Sequence, residues 1–236
     1  EKAGIIRKNG RVILSAQTED ADSEIAAITQ QLGASLHRVS DADREMIAHP
    51  RCRKGDHQIE NAATAAAALS IWKRDSVRIT KEHILRGSET AQWPGRMQHI
   101  KEGFVAEQVK PKKLYFDGAH NESAAHALAN TINSLEEKHI LVCSMLETKD
   151  HSEILSALSR AAKTLVLIPH PHGAAAAVSF GERNLAQKFF ERVLIANSMM
   201  QAFDLASKES GDAITVCGSL YLGEPFAQLN GERSFV

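Results

Sequence analysis

Residues 114–121 read Leu-Tyr-Phe-Asp-Gly-Ala-His-Asn, and this stretch decides which fold the sequence describes. Its apolar start predicts a buried strand, and the helical spacing after it predicts a helix that Asn121 is suited to cap. In an open α/β sheet, such a turn lies at the carboxyl edge, where ligands bind. Asp117 and His120 would offer a carboxylate and an imidazole there, and Gly118 lets the backbone approach a ligand closely. The alternative is an ordinary α/β turn.

The same strand-then-helix pattern continues to the end of the chain. A repeated alternation of this kind predicts an α/β fold, in which a mostly parallel, Rossmann-like sheet carries helices on both faces. Just before the alternation, 96–100 and 104–109 are expected to form a hairpin around Gly103. The strands of the alternation are expected at 114–116, 140–145, 164–168, 192–196 and 213–217.

A domain boundary is expected just before Pro94-Gly95, because this dipeptide is a strong turn signal. It gives one domain over 1–92 and a second over 93–236. In the first domain, the polar segment 40–56 contains Pro50 and shows no clear period, so we expect a loop or the remnant of a hairpin there. The periodic segments of this domain are expected to be strands at 11–15 and 35–39 and helices at 20–32, 59–73 and 80–87.

The composition excludes several classes of protein. The formal net charge is −1, so no basic field exists for nucleic acid or for an anionic membrane. The three cysteines form no C-x-x-C pair, which argues against a zinc ribbon and a disulfide framework. No apolar stretch is long enough to span a bilayer. We therefore expect a cytoplasmic protein that binds neither nucleic acid nor membranes.

Three further residues outside the 114–121 turn could carry chemistry. Asn61, near the start of an alanine-rich helix, offers an amide that can read the edge of a base, or it simply faces solvent. Arg96 can hold a phosphate through charge-assisted hydrogen bonds, or it is an ordinary surface arginine. Lys2, beside Glu1, would ordinarily be a solvated helix end.

Six short motifs follow one another along the chain. They are EKAGII at 1–6, HQ-x-x-NAA within 55–63, PGR at 94–96, DGAHN at 117–121, KD at 149–150 and CGSLY at 217–221. Each is weak alone, but together they span residues 1 to about 223 and are specific. Their order is the one found in the folylpolyglutamate synthase and dihydrofolate synthase family of the Mur ligase superfamily, so the chain resembles this family.

The resemblance implies the C-terminal part of a P-loop ATPase domain over 1–92, followed by a Rossmann-like ligase domain, with ATP between them. It implies an ATP-dependent amide ligase that adds L-glutamate to dihydropteroate or (tetrahydro)folate. In the family, the carboxylate of the pteroate or folate takes the γ-phosphate and becomes an acyl phosphate. The amine of L-glutamate then attacks the acyl carbon. The implied cofactors are ATP and Mg²⁺, the implied partners are these small molecules, and the implied state is a monomer.

The resemblance also assigns residues to the nucleotide and the metal. Lys2 matches a lysine that becomes carbamylated, which would give Mg²⁺ an anionic oxygen ligand. Asn61 matches an adenine contact. Arg96 matches a contact to the phosphates, and Asp117 matches a contact to the ribose.

On the substrate side, His120 matches a residue close to the incoming glutamate and the acyl phosphate. Ser219 matches a glutamate contact, and Lys149 is placed near the same site. Lys2, Asp117 and His120 are thereby implied to take part in catalysis. His170 and His172 have no third ligand at metal spacing, so a loop after the strand at 164–168 is favoured over a metal site. The resemblance implies that this region is variable and lies near the substrate entry.

The sequence departs from the family in three respects: it lacks the P-loop, it lacks the histidine-containing Mg²⁺ motif that precedes E-K-A-G-I in the family, and its stretch between Val39 and Gly55 is shorter. It contains no G-x-x-x-x-G-K-[ST] motif, so the P-loop portion is lacking. We therefore expect this chain alone to be inactive and the activity to belong to a longer protein. Two alternatives stay open: a Mur-type ligase of UDP-muramyl precursors, and a catalytically inactive remnant that binds a nucleotide or a partner protein.

Overall fold

The computed structural model describes residues 2–47, 56–72, 79–91, 94–173 and 177–232, and for Lys2 and residues 56–58 it describes the backbone alone. The chain forms two compact units, Glu1–Gln92 and Trp93–Val236. Each unit is described by itself. That the first unit is part of an ATPase domain stays a prediction. Within the described residues, no helix is long and apolar enough to cross a membrane.

The first unit is built around a two-stranded parallel sheet whose strands are joined by a helix. Parallel strands need such a crossover, and the helical period after the first strand supplies it. Three further helices cover a small core that includes Ile47, Ala63 and Ile84. The elements are a 3-10 turn at Lys2–Ile5, β1 (Arg11–Leu14), α1 (Glu19–Gln31), β2 (Ser35–Arg38), α2 (Asp41–Ile47), α3 (Asp56–Trp72) and α4 (Lys81–Thr90).

The expectation of a loop over 40–56 is wrong for its first half, because α2 occupies Asp41–Ile47. Ser40 and Asp43 cap this helix reciprocally. The Ser40 amide donates to the Asp43 carboxylate at 2.8 Å, and the Asp43 amide donates to the Ser40 hydroxyl at 3.3 Å. A helix of seven residues is too short to show a clear hydrophobic period. The capping pair Ser40 and Asp43 is therefore the only local sequence pattern that indicates this helix. Residues 48–55, including Pro50, lie outside the described residues.

An ion pair between Arg44 and Glu60 joins α2 to α3. The Glu60 carboxylate also accepts a hydrogen bond from the Ser15 hydroxyl at 3.0 Å, so it ties the end of β1 to the same point. The hydrogen bond from Arg44 is the main cause that lowers the pKa of Glu60. Partial burial opposes this shift, and the bond from Ser15 adds to it.

This lowered pKa predicts how the stability of the first unit depends on pH. The stabilisation by Glu60 is fully present above its unfolded pKa of about 4.5 and is lost as the pH falls through the lower folded value. We expect Glu60→Gln to lower the free energy of unfolding at pH 7 and to flatten its decrease below pH 5. Urea unfolding between pH 3 and 7 measures both effects. Glu45→Gln, at an exposed position of α2, is the control and should leave the profile unchanged. Equal profiles for both variants would contradict the prediction.

The second unit is a six-stranded sheet in the order β3-β4-β8-β5-β6-β7, in which only β3 runs antiparallel to its neighbour. The expected mostly parallel, Rossmann-like sheet is confirmed. The elements are β3 (Gln98–Ile100), α5 (Phe104–Gln108), β4 (Lys113–Phe116), α6 (Glu122–Asn133), β5 (His139–Cys143), α7 (His151–Leu158), β6 (Ala162–Leu167), α8 (Phe180–Ala186), β7 (Arg192–Ile195), α9 (Met199–Lys208), β8 (Ala213–Cys217), a 3-10 turn at Leu220–Leu222 and α10 (Gly223–Asn230).

Both faces of this sheet are covered by helices, which β8 illustrates. Ala213 and Cys217 belong to the core cluster that α6, α7 and α8 complete. Ile214 and Val216 point to the opposite cluster, beneath α5, α9 and α10. Strands buried on both faces read as continuous apolar runs rather than as an alternation, which is the pattern of the sequence here.

The expected hairpin around Gly103 is wrong, because β3 pairs with β4 and residues 104–108 form α5. The side-chain oxygen of Asn230, at the end of α10, accepts the backbone N–H groups of Val105 at 3.0 Å and Ala106 at 3.3 Å. These two amides at the start of α5 are therefore satisfied by a residue far along the chain. No local pattern reveals such a cap, which explains the error.

Candidate active site

Four strand ends lie side by side at the carboxyl edge of the large sheet. The backbone N–H of Asp117 donates to Val216 at 2.8 Å, which joins the ends of β4 and β8. The N–H of Ser144 donates to Cys217 at 3.2 Å and joins β5 to β8. The N–H of Ile168 donates to Cys143 at 3.0 Å and joins β6 to β5. Side chains that follow these strands are thereby held at one edge, where ligands bind in sheets of this kind.

Asp117 is buried and connects two turns of this edge. One carboxylate oxygen accepts the N–H of Ala119 at 2.8 Å, and the other accepts the N–H of Met97 at 2.8 Å. The N–H of Gly118 donates to the carbonyl of Gly95 at 2.7 Å, beside the second of these bonds. These bonds hold the Asp117 carboxylate in a fixed position between the two turns.

Arg96 lies in the turn that Asp117 holds, so the structure brings two of the proposed nucleotide contacts together. Its side chain is half-buried, and its guanidinium makes no hydrogen bond or ion pair with any described residue. A guanidinium with its donors free is suited to bind the oxygens of an anionic ligand. Its contact with ATP stays a prediction.

His120 occupies the last position of the turn before the helix cap. Its Nδ1 lies 2.8 Å from the carbonyl oxygen of Gly118, so Nδ1 carries a proton and donates it. In the neutral imidazole, Nε2 then carries the lone pair, and it has no partner among the described residues. Asn121 accepts the N–H of Ala124 at 2.9 Å, which confirms it as the N-cap of α6 and leaves His120 free of that task.

Ser219 follows β8 and lies directly beside the 117–121 turn. The backbone N–H of Gly218 donates to the carbonyl of Ala119 at 2.9 Å, which fixes the two segments together. The side chain of Leu220 packs so closely over Gly118 that a Cβ there would overlap it. The close approach expected at Gly118 is therefore made by the protein itself.

His170 is the residue of this edge that the sequence analysis missed. It lies in the segment after β6, is buried, and places its Nε2 3.0 Å from the Ser219 hydroxyl oxygen. Burial, and to a smaller extent the nearby His172, lower the pKa of His170. Its position just beyond the carboxyl end of a parallel strand was the signal that could have found it. The metal spacing that we weighed instead does not bear on this role.

Two groups beneath the edge complete its surroundings. Cys143 and Cys217 are both buried, as expected of small core residues, and they face each other across β5 and β8. The hydrogen bond with Cys143, reinforced by burial, raises the pKa of the Cys217 thiol well above its usual range, so this thiol stays uncharged. The hydroxyl of Ser144 is also buried and has no hydrogen-bond partner among the described residues.

For Lys2, Asn61 and Lys149, the structure gives a position but no contact that bears on the proposed roles. Lys2 lies in a 3-10 turn and Asn61 on the exposed side of α3, both in the first unit, and the side chain of Lys2 lies outside the described residues. Lys149 is half-buried in the loop after β5 and forms no ion pair with a described residue. Among described side chains, no group of three or more His, Cys, Asp or Glu could hold a metal ion. Their roles stay predictions.

The backbone of Gly218 provides a test of how tightly this edge is built. Its φ of +99° is strained for any other residue, and a Cβ there would also overlap the Ser144 carbonyl oxygen. We expect Gly218→Ala to lower the free energy of unfolding by about 3 kcal/mol, the combined cost of strain and overpacking. Gly231→Ala is the control, because its φ is +83° but no atom lies near. It should cost only about 1–2 kcal/mol. Urea unfolding measures both, and equal losses would refute the proposed overlap.

Three comparisons connect this geometry to known proteins. A probable dihydrofolate synthetase of Schizosaccharomyces pombe is 27% identical over 190 residues, which cover 72% of this chain and 42% of that relative. Folylpolyglutamate synthase of Mycobacterium tuberculosis, solved with ADP and AMPPCP, has a TM-score of 0.76 at 20% identity. This match covers 95% of this chain and 56% of that one.

A bifunctional folylpolyglutamate synthase/dihydrofolate synthase of Yersinia pestis, complexed with AMPPNP and Mn ion, has a TM-score of 0.69 at 23% identity. The match covers 93% of this chain and 53% of that one. The chain thus spans about half the length of the proteins that it matches. These similarities confirm the fold and the resemblance drawn from the six motifs.

The model of the family described as Mur ligase, glutamate ligase domain, matches residues 95–220, which is more than half of the chain. The matched segment begins in the turn of Arg96 and ends just after Ser219. It therefore contains every candidate residue of the carboxyl edge. The chain belongs to the Mur ligase family and carries its glutamate ligase domain.

Proposed function

We propose that this chain is part of an ATP-dependent ligase that joins L-glutamate to the carboxylate of dihydropteroate or a folate. The observation that carries the proposal is the match of the glutamate ligase domain to residues 95–220. That segment holds Asp117, His120 and Ser219 at one edge of the sheet. The named relatives are a probable dihydrofolate synthetase and two folylpolyglutamate synthases, which favours a folate or pteroate substrate over a UDP-muramyl precursor.

In the proposed reaction, the substrate carboxylate takes the γ-phosphate of ATP and becomes an acyl phosphate. The main task of the protein is then to position the reactants and to stabilise charge. Arg96 would bind phosphate oxygens with its free guanidinium. Asp117 would accept a hydrogen bond from the ribose while it holds the Arg96 turn in place.

His120 would act in the second step, when the amine of L-glutamate attacks the acyl carbon and phosphate leaves. The attacking nitrogen must lose a proton as the amide forms. Because Nδ1 donates to Gly118, the lone pair of Nε2 is the one that can accept that proton. Ser219 would meanwhile donate a hydrogen bond to a carboxylate of the same L-glutamate.

A divalent cation is implied by the family resemblance, and a related structure contains a manganese ion. Its chemistry would be to neutralise charge on the triphosphate oxygens. Lys2 is the one residue that the resemblance assigns to it, and no cluster of ligands occurs among the described residues.

The test is an assay of phosphate release by the full-length protein. We expect phosphate to form from ATP only when a pteroate or folate and L-glutamate are both supplied, because the acyl phosphate needs both for turnover. Mass spectrometry should show the product to be heavier by one glutamyl residue. Ligation of a UDP-muramyl precursor would overturn the folate assignment. ATP binding without turnover would support the inactive remnant instead.

His120→Ala tests the role of the imidazole. We expect kcat to fall by about a hundredfold or more, the usual contribution of a general base. The melting temperature should stay nearly unchanged, because the half-exposed ring makes only one hydrogen bond. His126→Ala, on the exposed side of α6, is the matched control and should retain full turnover. A large loss of thermal stability with unchanged kcat would mean that His120 has a structural role.

A further inference from the structure

The hydrogen bond between His170 and Ser219 joins the segment after β6 to the segment after β8. Nε2 of His170 lies 3.0 Å from Oγ of Ser219, and both side chains are at least nine-tenths buried. The two residues are 49 positions apart in sequence. The contact therefore depends on the sheet order, which brings both strand ends to the same edge.

The other ring nitrogen determines which partner donates in this bond. The backbone N–H of His172 donates to Nδ1 of His170 at 3.1 Å, so Nδ1 must carry a lone pair. A histidine with an unprotonated Nδ1 is neutral and carries its proton on Nε2. Burial, which lowers the pKa of His170, favours the same neutral state. His170 is therefore the donor and Ser219 the acceptor.

The Ser219 hydroxyl oxygen accepts a second hydrogen bond. The backbone N–H of Tyr221 donates to it at 3.2 Å, so both of its lone pairs are occupied. The hydroxyl proton is then the only hydrogen-bonding capacity left, and no described residue accepts it. Ser219 is 3% exposed, so an unpaired proton there would be costly unless a ligand supplies the acceptor.

Three rings, those of His170, His172 and Tyr221, lie close to one another near Ser219. The rings of His172 and Tyr221 meet edge to face with centroids 4.8 Å apart, and the ring of His170 meets Tyr221 at 6.0 Å. On its other side, Ser219 follows Gly218, which is bonded to the turn of His120. An acceptor for the Ser219 proton would thus lie close to the residue that we propose as the base.

We propose that His170 is a positioning residue that turns the Ser219 hydroxyl proton toward a ligand carboxylate. With both lone pairs of Ser219 bound to protein donors, the hydroxyl can act only as a donor toward the ligand. This sets a preference for an anionic oxygen over an amide N–H or an ammonium group. The identity of the ligand as L-glutamate rests on the proposed function, whereas the direction of the hydrogen bond does not.

The kinetic test uses the full-length protein and four variants. His170→Met removes the donor at similar volume, and His170→Gln keeps a donor near the position of Nε2. Ser219→Ala and the double variant with His170→Met complete a mutant cycle. We expect His170→Met to raise the KM for L-glutamate about tenfold, as for a lost hydrogen bond to a charged group, with the KM for ATP unchanged.

His170→Gln and the double variant show whether His170 positions the Ser219 hydroxyl or only supports the local fold. His170→Gln should restore the KM for L-glutamate to within about threefold, and the double variant should be no worse than Ser219→Ala. His126→Ala is the control and should leave both KM values unchanged. Additive effects in the double variant, or equal changes in both KM values for His170→Met, would overturn the proposal.

A second measurement does not depend on ligase activity. Nitrogen-15 NMR of the histidine rings should show His170 protonated at Nε2 and unprotonated at Nδ1 at neutral pH. Ser219→Ala should shift the Nε2 signal and leave Nδ1 nearly unchanged. A proton on Nδ1 would overturn this inference, whereas a lack of glutamate ligation by the unsubstituted protein would overturn the proposed function. The two failures are thus distinguishable.

Discussion

The candidate site depends on the buried carboxylate of Asp117. A carboxylate without partners in such a position would cost several kcal/mol, and its hydrogen bonds to the N–H groups of Met97 and Ala119 offset that cost. These two donors belong to different turns. The Asp117 carboxylate therefore joins the turn before β3 to the turn after β4. The position of Arg96 follows from this constraint, because it precedes Met97 directly.

The sheet order extends the same constraint to the other strand ends. β8 lies between β4 and β5, so the segment of Gly218 and Ser219 must pass between the Asp117 turn and Ser144. The passage is narrow. Gly218 leaves no room for a Cβ, and Leu220 already fills the space above Gly118. Glycine is thus required at 118 and 218, where the two backbone segments pass each other. The polar residues His120 and Ser219 follow shortly after these glycines in sequence.

The sequence predicted the large sheet well because its strands are buried on both faces and its helices show a clear period. The strand at 213–217 was placed correctly, and Asn121 was recognised as a cap from its type and position alone. The two errors have different physical causes. α2 is too short for a period, and α5 is capped by Asn230, which is remote in sequence.

The distance in sequence between contacting residues also explains which residues of the candidate site could be predicted. Asp117, His120 and Ser219 lie in motifs that are local in sequence, so they could be named without a structure. His170 acts through a partner 49 positions away, so the sequence analysis could place it only in a loop after a strand and could not identify its contact with Ser219. A contact between two strand ends follows only from the order of the strands, which the alternation of strands and helices does not determine.

These contacts also divide the tasks within the proposed site. Asp117 cannot move toward a ligand without losing bonds to two turns, so it contributes through a fixed position. His120 and Ser219 each make hydrogen bonds to the protein and keep one further bonding group without a partner among the described residues. In His120 this group is Nε2, whose lone pair can accept a proton, and in Ser219 it is the hydroxyl proton. A ligand with both an amine that loses a proton and a carboxylate that accepts a hydrogen bond would satisfy both residues, and an amino acid is the smallest common metabolite of that kind.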